Sequence, residues 1–170
     1  MHVEQTNHSL PVDNETYRKL PRHSVRLVTF NALEPNIAGA IRSAEAFRIE
    51  HLYMLRKPKT VAAAAGEGRL QPTTFTPDLI AVIHQARADG YTVVALEQTD
   101  GSQPLTRATL PAKLCLVAGD EGGGVPPKAL ALCDMAVEIP QYGKVPSLNV
   151  VSAISIALYE WVRQHGGVEV

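Results

Sequence analysis

The chain has 170 residues, 45% of them hydrophobic, which suits one domain with a buried core. Its formal charge is -1, so no broad basic field marks it for nucleic acid, and any RNA contact must rest on local patches or on an oligomer. No apolar run reaches the roughly 20 residues that cross a bilayer. The N-terminus has no charged-then-apolar leader pattern, and the histidines form no HxxxH or HxH pair for a metal. Cys115 and Cys133 form no CxxC pair and lie in apolar surroundings, as buried free thiols do. A cytoplasmic protein without membrane or metal is expected.

Residues 1–22 are polar, with Pro11 and Pro21, and read as an arm with a short helix near Glu15–Leu20. Residues 23–170 read as one domain. Val25–Asn31 is an apolar strand, and ALEPN is a turn. Pro35 and Asn36 then start a helix, with Asn36 expected as its cap. Ile37, Ala40, Ile41, Ala44 and Phe47 recur at helical spacing as one buried stripe. Arg42 lies off that stripe, near the start of a helix that follows a strand and a sharp turn, where α/β folds place site groups.

His51–Leu55 is a second strand, Lys57–Lys59 a basic loop, and Thr60–Gly66 an Ala-rich helical stretch. Pro77–Ala88 is a helix that Gly90 stops. Tyr91–Leu96 is a strand, and the polar loop EQTDGSQP follows it. Leu114–Ala118 is a buried strand opening into GDEGGGVPP, then a helix over Lys128–Cys133. Its glycines let a backbone approach a ligand or another segment closely. The loop matches neither GxGxxG nor GxxxxGK[ST]. Met135–Ile139 is the last strand. A turn with Gly143 and Pro146 leads to Ser147, the expected cap of an apolar helix over Leu148–Val162 that carries Asn149 and Ser152 near its start. Strands and helices alternate, so the fold class is α/β, a mainly parallel sheet with helices on both faces. The loops 97–104, 119–127 and 140–147 follow strands and are expected to form one crevice.

Three segments resemble, in order and spacing, the motifs of the SpoU family of S-adenosylmethionine-dependent RNA methyltransferases, in the SPOUT superfamily. They are NIAGAIRSAEAF (Asn36–Phe47), LVAGDEGGGVPPKALALCD (Leu116–Asp134) and IPQYGKVPSLNVVSAISIALYE (Ile139–Glu160). The resemblance runs over roughly residues 25–165. It implies a C-terminal trefoil knot, which composition does not reveal, and a homodimer. It also implies S-adenosylmethionine bent among the three loops, near Leu96, Gly119, Ile139, Ser147 and Leu148. Arg42, Asn36, Glu121 and Asn149 match its catalytic motif positions, with Asn36 orienting Arg42. The implied reaction is methyl transfer to a ribose 2′-hydroxyl of RNA, with transfer RNA favoured over ribosomal RNA.

Three departures stand out. Arg48 follows Phe47 where the family often has Gly, which suggests a phosphate contact or a surface change. Asp120 stands where Asn is common, and Gln141 replaces a frequent Met. No further N-terminal RNA-binding domain is expected, so RNA recognition would rest on Lys57–Lys59, Arg69, Arg22 and Arg26. Two other readings fit the residues: a catalytically silent SpoU-like dimer that binds RNA or cofactor, and a generic α/β enzyme for a nucleotide-like metabolite.

Overall fold

A computed structural model describes residues 12–57 and 70–166. The expected helix over Thr60–Gly66, Lys59 and Arg69 lie outside these residues. The elements in chain order are α1 (Asn14–Lys19), β1 (His23–Thr29), α2 (Glu34–Ala46), β2 (Ile49–Met54), β3 (Thr73–Phe75), α3 (Leu79–Ala88), β4 (Thr92–Leu96), β5 (Gln103–Pro104), β6 (Leu114–Ala118), α4 (Pro127–Leu130), β7 (Met135–Glu138) and α5 (Val150–His165). The strands form one sheet in the order β3-β2-β1-β6-β4-β7-β5, and every pairing is parallel.

The alternation of buried side chains explains why the sheet needs helices on both faces. In β6, Leu114, Leu116 and Ala118 join one core with Ile37, Ala40, Ile41 and Ala44 of α2 and Ile154, Ala157, Leu158 and Trp161 of α5. Cys115 and Val117 point the other way, into a core with Leu79, Ile83 and Ala86 of α3 and Ala129 of α4. A strand buried on both faces reads as a continuous apolar run, as LCLVA does. Both cysteines are free. Burial pushes the Cys115 thiol up to about 12 and the Cys133 thiol up to about 11, so both are protonated and unreactive at neutral pH.

Register aligns the strand ends that matter. Thr29 pairs with Ala118, Ala118 with Leu96, and Leu96 with Val137. The carboxyl ends of β1, β6, β4 and β7 therefore finish at one level, and their loops share one edge. Above them α2 and α5 pack closely. A Cβ on Gly39 would lie 2.9 Å from Val151 Cγ1, and the Ser43 and Ser155 hydroxyls are 2.8 Å apart. α5 is not buried all round: Ser152, Ile156, Tyr159 and Arg163 form an exposed stripe along it.

The start of the domain corrects three expectations. Arg48 is neither a phosphate contact nor a surface change: it is only 6% exposed. Its Nε donates to Pro21 O (2.7 Å), and its Nη2 donates to Tyr17 O (2.9 Å) and Leu20 O (2.8 Å). It also lies over the Tyr17 ring, 4.3 Å from the centroid. Arg48 thus brings a cation to carbonyls at and just past the end of α1, the favourable charge there. Its φ is 48°, in the left-handed region, where glycine has no steric penalty.

Arg22 and Arg26 are also withdrawn from RNA. Arg22 donates to Ile49 O, Gln71 Oε1, Glu45 Oε2 and Leu70 O. Arg26 pairs with Glu50 and Asp89 and stacks on Tyr91. A guanidinium with its donors taken by carbonyls and carboxylates has little left for phosphate.

Arg48→Ala is expected to cost about 2–4 kcal/mol of stability, because several hydrogen bonds to a charged group go at once. Arg48→Gly should cost about 1 kcal/mol less, because it also relieves the left-handed backbone. Urea unfolding of both variants checks this, and equal losses would show that the backbone at 48 carries no strain.

Candidate active site

The aligned strand ends deliver a cleft lined by residues of all three loops, the crevice expected from their composition. Leu96, Glu97 and Gln98 come from the end of β4, and Gly119, Asp120, Glu121 and Gly124 from the loop after β6. Glu138, Ile139, Gln141, Ser147 and Leu148 come from the segment after β7, and Val150 and Ala153 from α5. Leu96, Gly119, Ile139, Ser147 and Leu148 all sit in this one lining.

Asn149 is the hub beside it. Its Oδ1 accepts from the Val151 and Ser152 amides, 3.0 and 3.3 Å away, so Asn149 caps α5. Ser147, the expected cap, instead lines the cleft. The Asn149 Nδ2 donates to Asn36 Oδ1 at 3.0 Å and to Glu121 Oε1 at 2.5 Å. One side chain thus joins α2, the β6 loop and α5, three segments far apart in sequence.

Asn36 does not cap α2. The helix starts at Glu34, its N-cap is Leu33 and no side chain caps it. Asn36 sits in the first turn, 7% exposed, with its carbonyl oxygen taken by Asn149. Nor does Asn36 orient Arg42. Among the described residues, Arg42 is exposed and has no hydrogen-bond or ion-pair partner. Of the four residues that match catalytic motif positions, three are bonded together and Arg42 stands free on α2.

The loop after β6 is folded tightly on itself. Asp120 N donates to Gly124 O at 3.0 Å, and Gly124 N donates to Asp120 O at 2.8 Å. A Cβ on Gly119 would lie 2.0 Å from the Gly124 carbonyl carbon, so only glycine fits there. Gly124 has φ of 64° and leaves room for the Glu97 carboxylate.

Residue spacing does not single out Asn31 or Glu97, yet both hold this loop. Asn31 Nδ2 donates to Asp120 Oδ1 at 3.2 Å, which gives Asp120 a polar contact despite its departure from Asn. Glu97 Oε2 accepts from the Val125 amide at 2.7 Å. For Glu97 the available signal was a polar residue directly past the end of an apolar strand.

Among the described residues the lining carries carboxylates from Glu97, Asp120, Glu121 and Glu138 and no cationic side chain. Their hydrogen-bond donors are neutral: Val125 N, Asn31, Asn149 and Ser102. Such a cleft suits a ligand with positive charge. Among the described residues no group of three or more His, Cys, Asp or Glu could hold a metal, and no helix is long and apolar enough to cross a membrane.

The chain is similar in sequence and in fold to known proteins. Over 134 residues the chain is 31% identical to an Escherichia coli tRNA (guanosine(18)-2′-O)-methyltransferase, covering 76% of this chain and 58% of that protein. Over 86 residues it is 38% identical to the mouse tRNA (guanosine(18)-2′-O)-methyltransferase TARBP1, covering 51% of this chain and 5% of the mouse protein. The chain spans between 5% and 58% of these two relatives' own lengths.

Among solved structures, the A. aeolicus TrmH/SpoU tRNA modifying enzyme matches with a TM-score of 0.79 at 24% identity, covering 89% of this chain and 82% of that one. The SpoU methyltransferase AviRb from Streptomyces viridochromogenes, solved with AdoMet, matches at 0.71 with 26% identity, covering 92% and 64%. The model of the SpoU rRNA Methylase family matches residues 25–159, from the first core strand through most of α5, and the chain therefore belongs to that family.

Proposed function

We propose that this protein is an RNA methyltransferase that moves a methyl group from S-adenosylmethionine to a ribose 2′-hydroxyl, with transfer RNA as the favoured substrate. The observation that carries the reading is the Asn149 hub, which joins Asn36 to the cleft residue Glu121, while Arg42 on the same helix as Asn36 has no hydrogen-bond or ion-pair partner among the described residues. The two relatives described above carry transfer-RNA names, which favours transfer RNA, while a further relative at 29% identity carries a 23S rRNA name.

The residues present fit the cofactor. Leu96, Ile139 and Leu148 offer apolar surface to a flat base, and the Asp120, Glu121 and Glu138 carboxylates suit a sulfonium and an ammonium group. Leu96, Gly119, Ile139, Ser147 and Leu148 would hold it. When bound, S-adenosylmethionine supplies an activated methyl group, and no metal is needed for in-line transfer.

Arg42 would act on the RNA. A guanidinium stays protonated in proteins, so Arg42 is a poor base. It would clamp the neighbouring phosphate and stabilise negative charge on the 2′-oxygen as its proton passes to water. Asn36, Glu121 and Asn149 would fix the relative positions of α2, the glycine loop and α5, and so align the nucleotide with the cleft.

We read residues 23–170 as the catalytic domain, with residues 1–22 as an arm, in a cytoplasmic homodimer whose C-terminal segment is threaded as a trefoil knot. The free thiols fit a reducing compartment. The exposed Ile156 (40%) and Tyr159 (63%) on α5 are the face we assign to the second copy. Ile156→Glu is expected to give a monomer by light scattering with its fold intact by circular dichroism. A variant that remains a dimer would move the interface elsewhere.

The test is incubation with labelled S-adenosylmethionine and bulk RNA from a host lacking this protein. Label in acid-precipitable RNA is expected. Cofactor binding with no label in any RNA would instead identify a catalytically silent binding dimer.

A further inference from the structure

Glu97 is not among the residues that the family motifs cover, yet its carboxylate touches the cleft and the loop behind it at once. Glu97 is the first residue past β4 and lines the cleft. Its Oε2 accepts from Val125 N at 2.7 Å, and its Oε1 accepts from Gln98 N at 3.0 Å. The Val125 bond joins the loop after β4 to the loop after β6. A Cβ on Gly124 would lie 2.3 Å from Glu97 Oε2, so that glycine and the carboxylate occupy complementary space. Val125 itself is 5% exposed and packs into the core under α3 and α4. The Glu97 bond therefore ends at an anchored point of the loop rather than at a free one.

The other ties on this loop act at different places. The Asp120–Gly124 pair closes it, Asn31 holds Asp120, and Asn149 holds Glu121. Among the described residues, Glu97 makes the one side-chain hydrogen bond to the loop's exit at Val125. Without it the exit loses this side-chain link to the end of β4, and the loop that lines the cleft with Gly119, Asp120 and Glu121 is free to shift.

We propose that Glu97 is a positioning residue: it clips the glycine loop to the end of β4 and so shapes the cofactor cleft. This rests on the methyltransferase reading for the identity of the ligand, though not for the clip itself. The neutral amide of Gln can accept the same Val125 hydrogen bond, whereas Ala cannot.

The experiment compares wild type, Glu97→Gln and Glu97→Ala by calorimetry with S-adenosylmethionine and by amide exchange at Val125. Glu97→Ala is expected to weaken the cofactor about 10- to 100-fold, the effect of one lost charge-assisted hydrogen bond. It should raise KM for the cofactor and leave kcat at saturation little changed. Val125 should exchange faster while the β4 and β6 amides keep their protection, and Glu97→Gln should restore most of the affinity and protection.

Native affinity in Glu97→Ala would overturn the proposal. So would a Glu97→Gln variant as weak as Glu97→Ala with Val125 still protected, because the carboxylate charge would then be meeting the ligand directly. If wild type binds no S-adenosylmethionine, the methyltransferase reading fails, and the Val125 exchange alone decides on the clip.

Discussion

Replacing Arg42 by alanine is expected to slow methyl transfer at least about a hundredfold, the loss typical of removing one preorganised charge-stabilising donor. S-adenosylmethionine should still bind with near-native affinity, because Arg42 is not among the residues that line the cleft. The fold should also survive. Arg42 is exposed and has no bonded partner among the described residues, so its removal leaves no buried group unsatisfied. Arg42→Lys keeps the charge and loses the planar fork, and should fall between wild type and Arg42→Ala. Single-turnover rates and calorimetry separate the two effects. Weak cofactor binding with normal turnover would move Arg42 from the RNA side of the site to the cofactor side.

The second large effect is expected at Gly119. An alanine Cβ there would lie 2.0 Å from the Gly124 carbonyl carbon and 2.3 Å from both Gly124 O and Val125 N. Those are backbone atoms of a loop closed by the Asp120–Gly124 hydrogen bonds, so they cannot rotate away as a side chain would. The loop must open, and the cleft wall moves with it. Gly119→Ala should lose about 1–3 kcal/mol of stability and at least about tenfold in cofactor affinity. Gly123→Ala is the control, because nothing lies within 4 Å of a Cβ placed there. It should behave as wild type in the same melting and binding assays. Equal damage from both substitutions would mean that the loop needs flexibility at any glycine, and that the close approach at Gly119 is not the cause.

The architecture was legible because its signals are local. LCLVA reads as a strand buried on both faces, and the Ile37–Ala44 stripe repeats at helical spacing. The three strand-end loops announced the cleft by their glycine, proline and small polar content. What stayed hidden depends on contacts distant in sequence. β3 has three residues and β5 two, too few for a periodic pattern to form. Ser147 and Asn149 are both good caps, and local propensity does not choose between them. Asn149 caps because its amide also reaches Asn36, 113 positions away. Arg22 and Arg26 look like surface cations until Glu45, Glu50 and Asp89 are brought beside them by the sheet. Arg48 is the sharpest case. The departure from the family's frequent Gly read as a phosphate contact or a surface change, and only the fold reveals the left-handed backbone and the three carbonyls that hold the arginine there.

The central claim is transfer of a methyl group to a ribose oxygen. The most direct test is the chemical position of label from S-adenosylmethionine in transfer RNA from a host lacking this protein, read after alkaline hydrolysis. A 2′-O-methyl group blocks cleavage at its own phosphodiester, so the expected result is label in an alkali-resistant dinucleotide, absent with Arg42→Ala. Label recovered wholly in mononucleotides would place the methyl group on a base and contradict the proposed reaction.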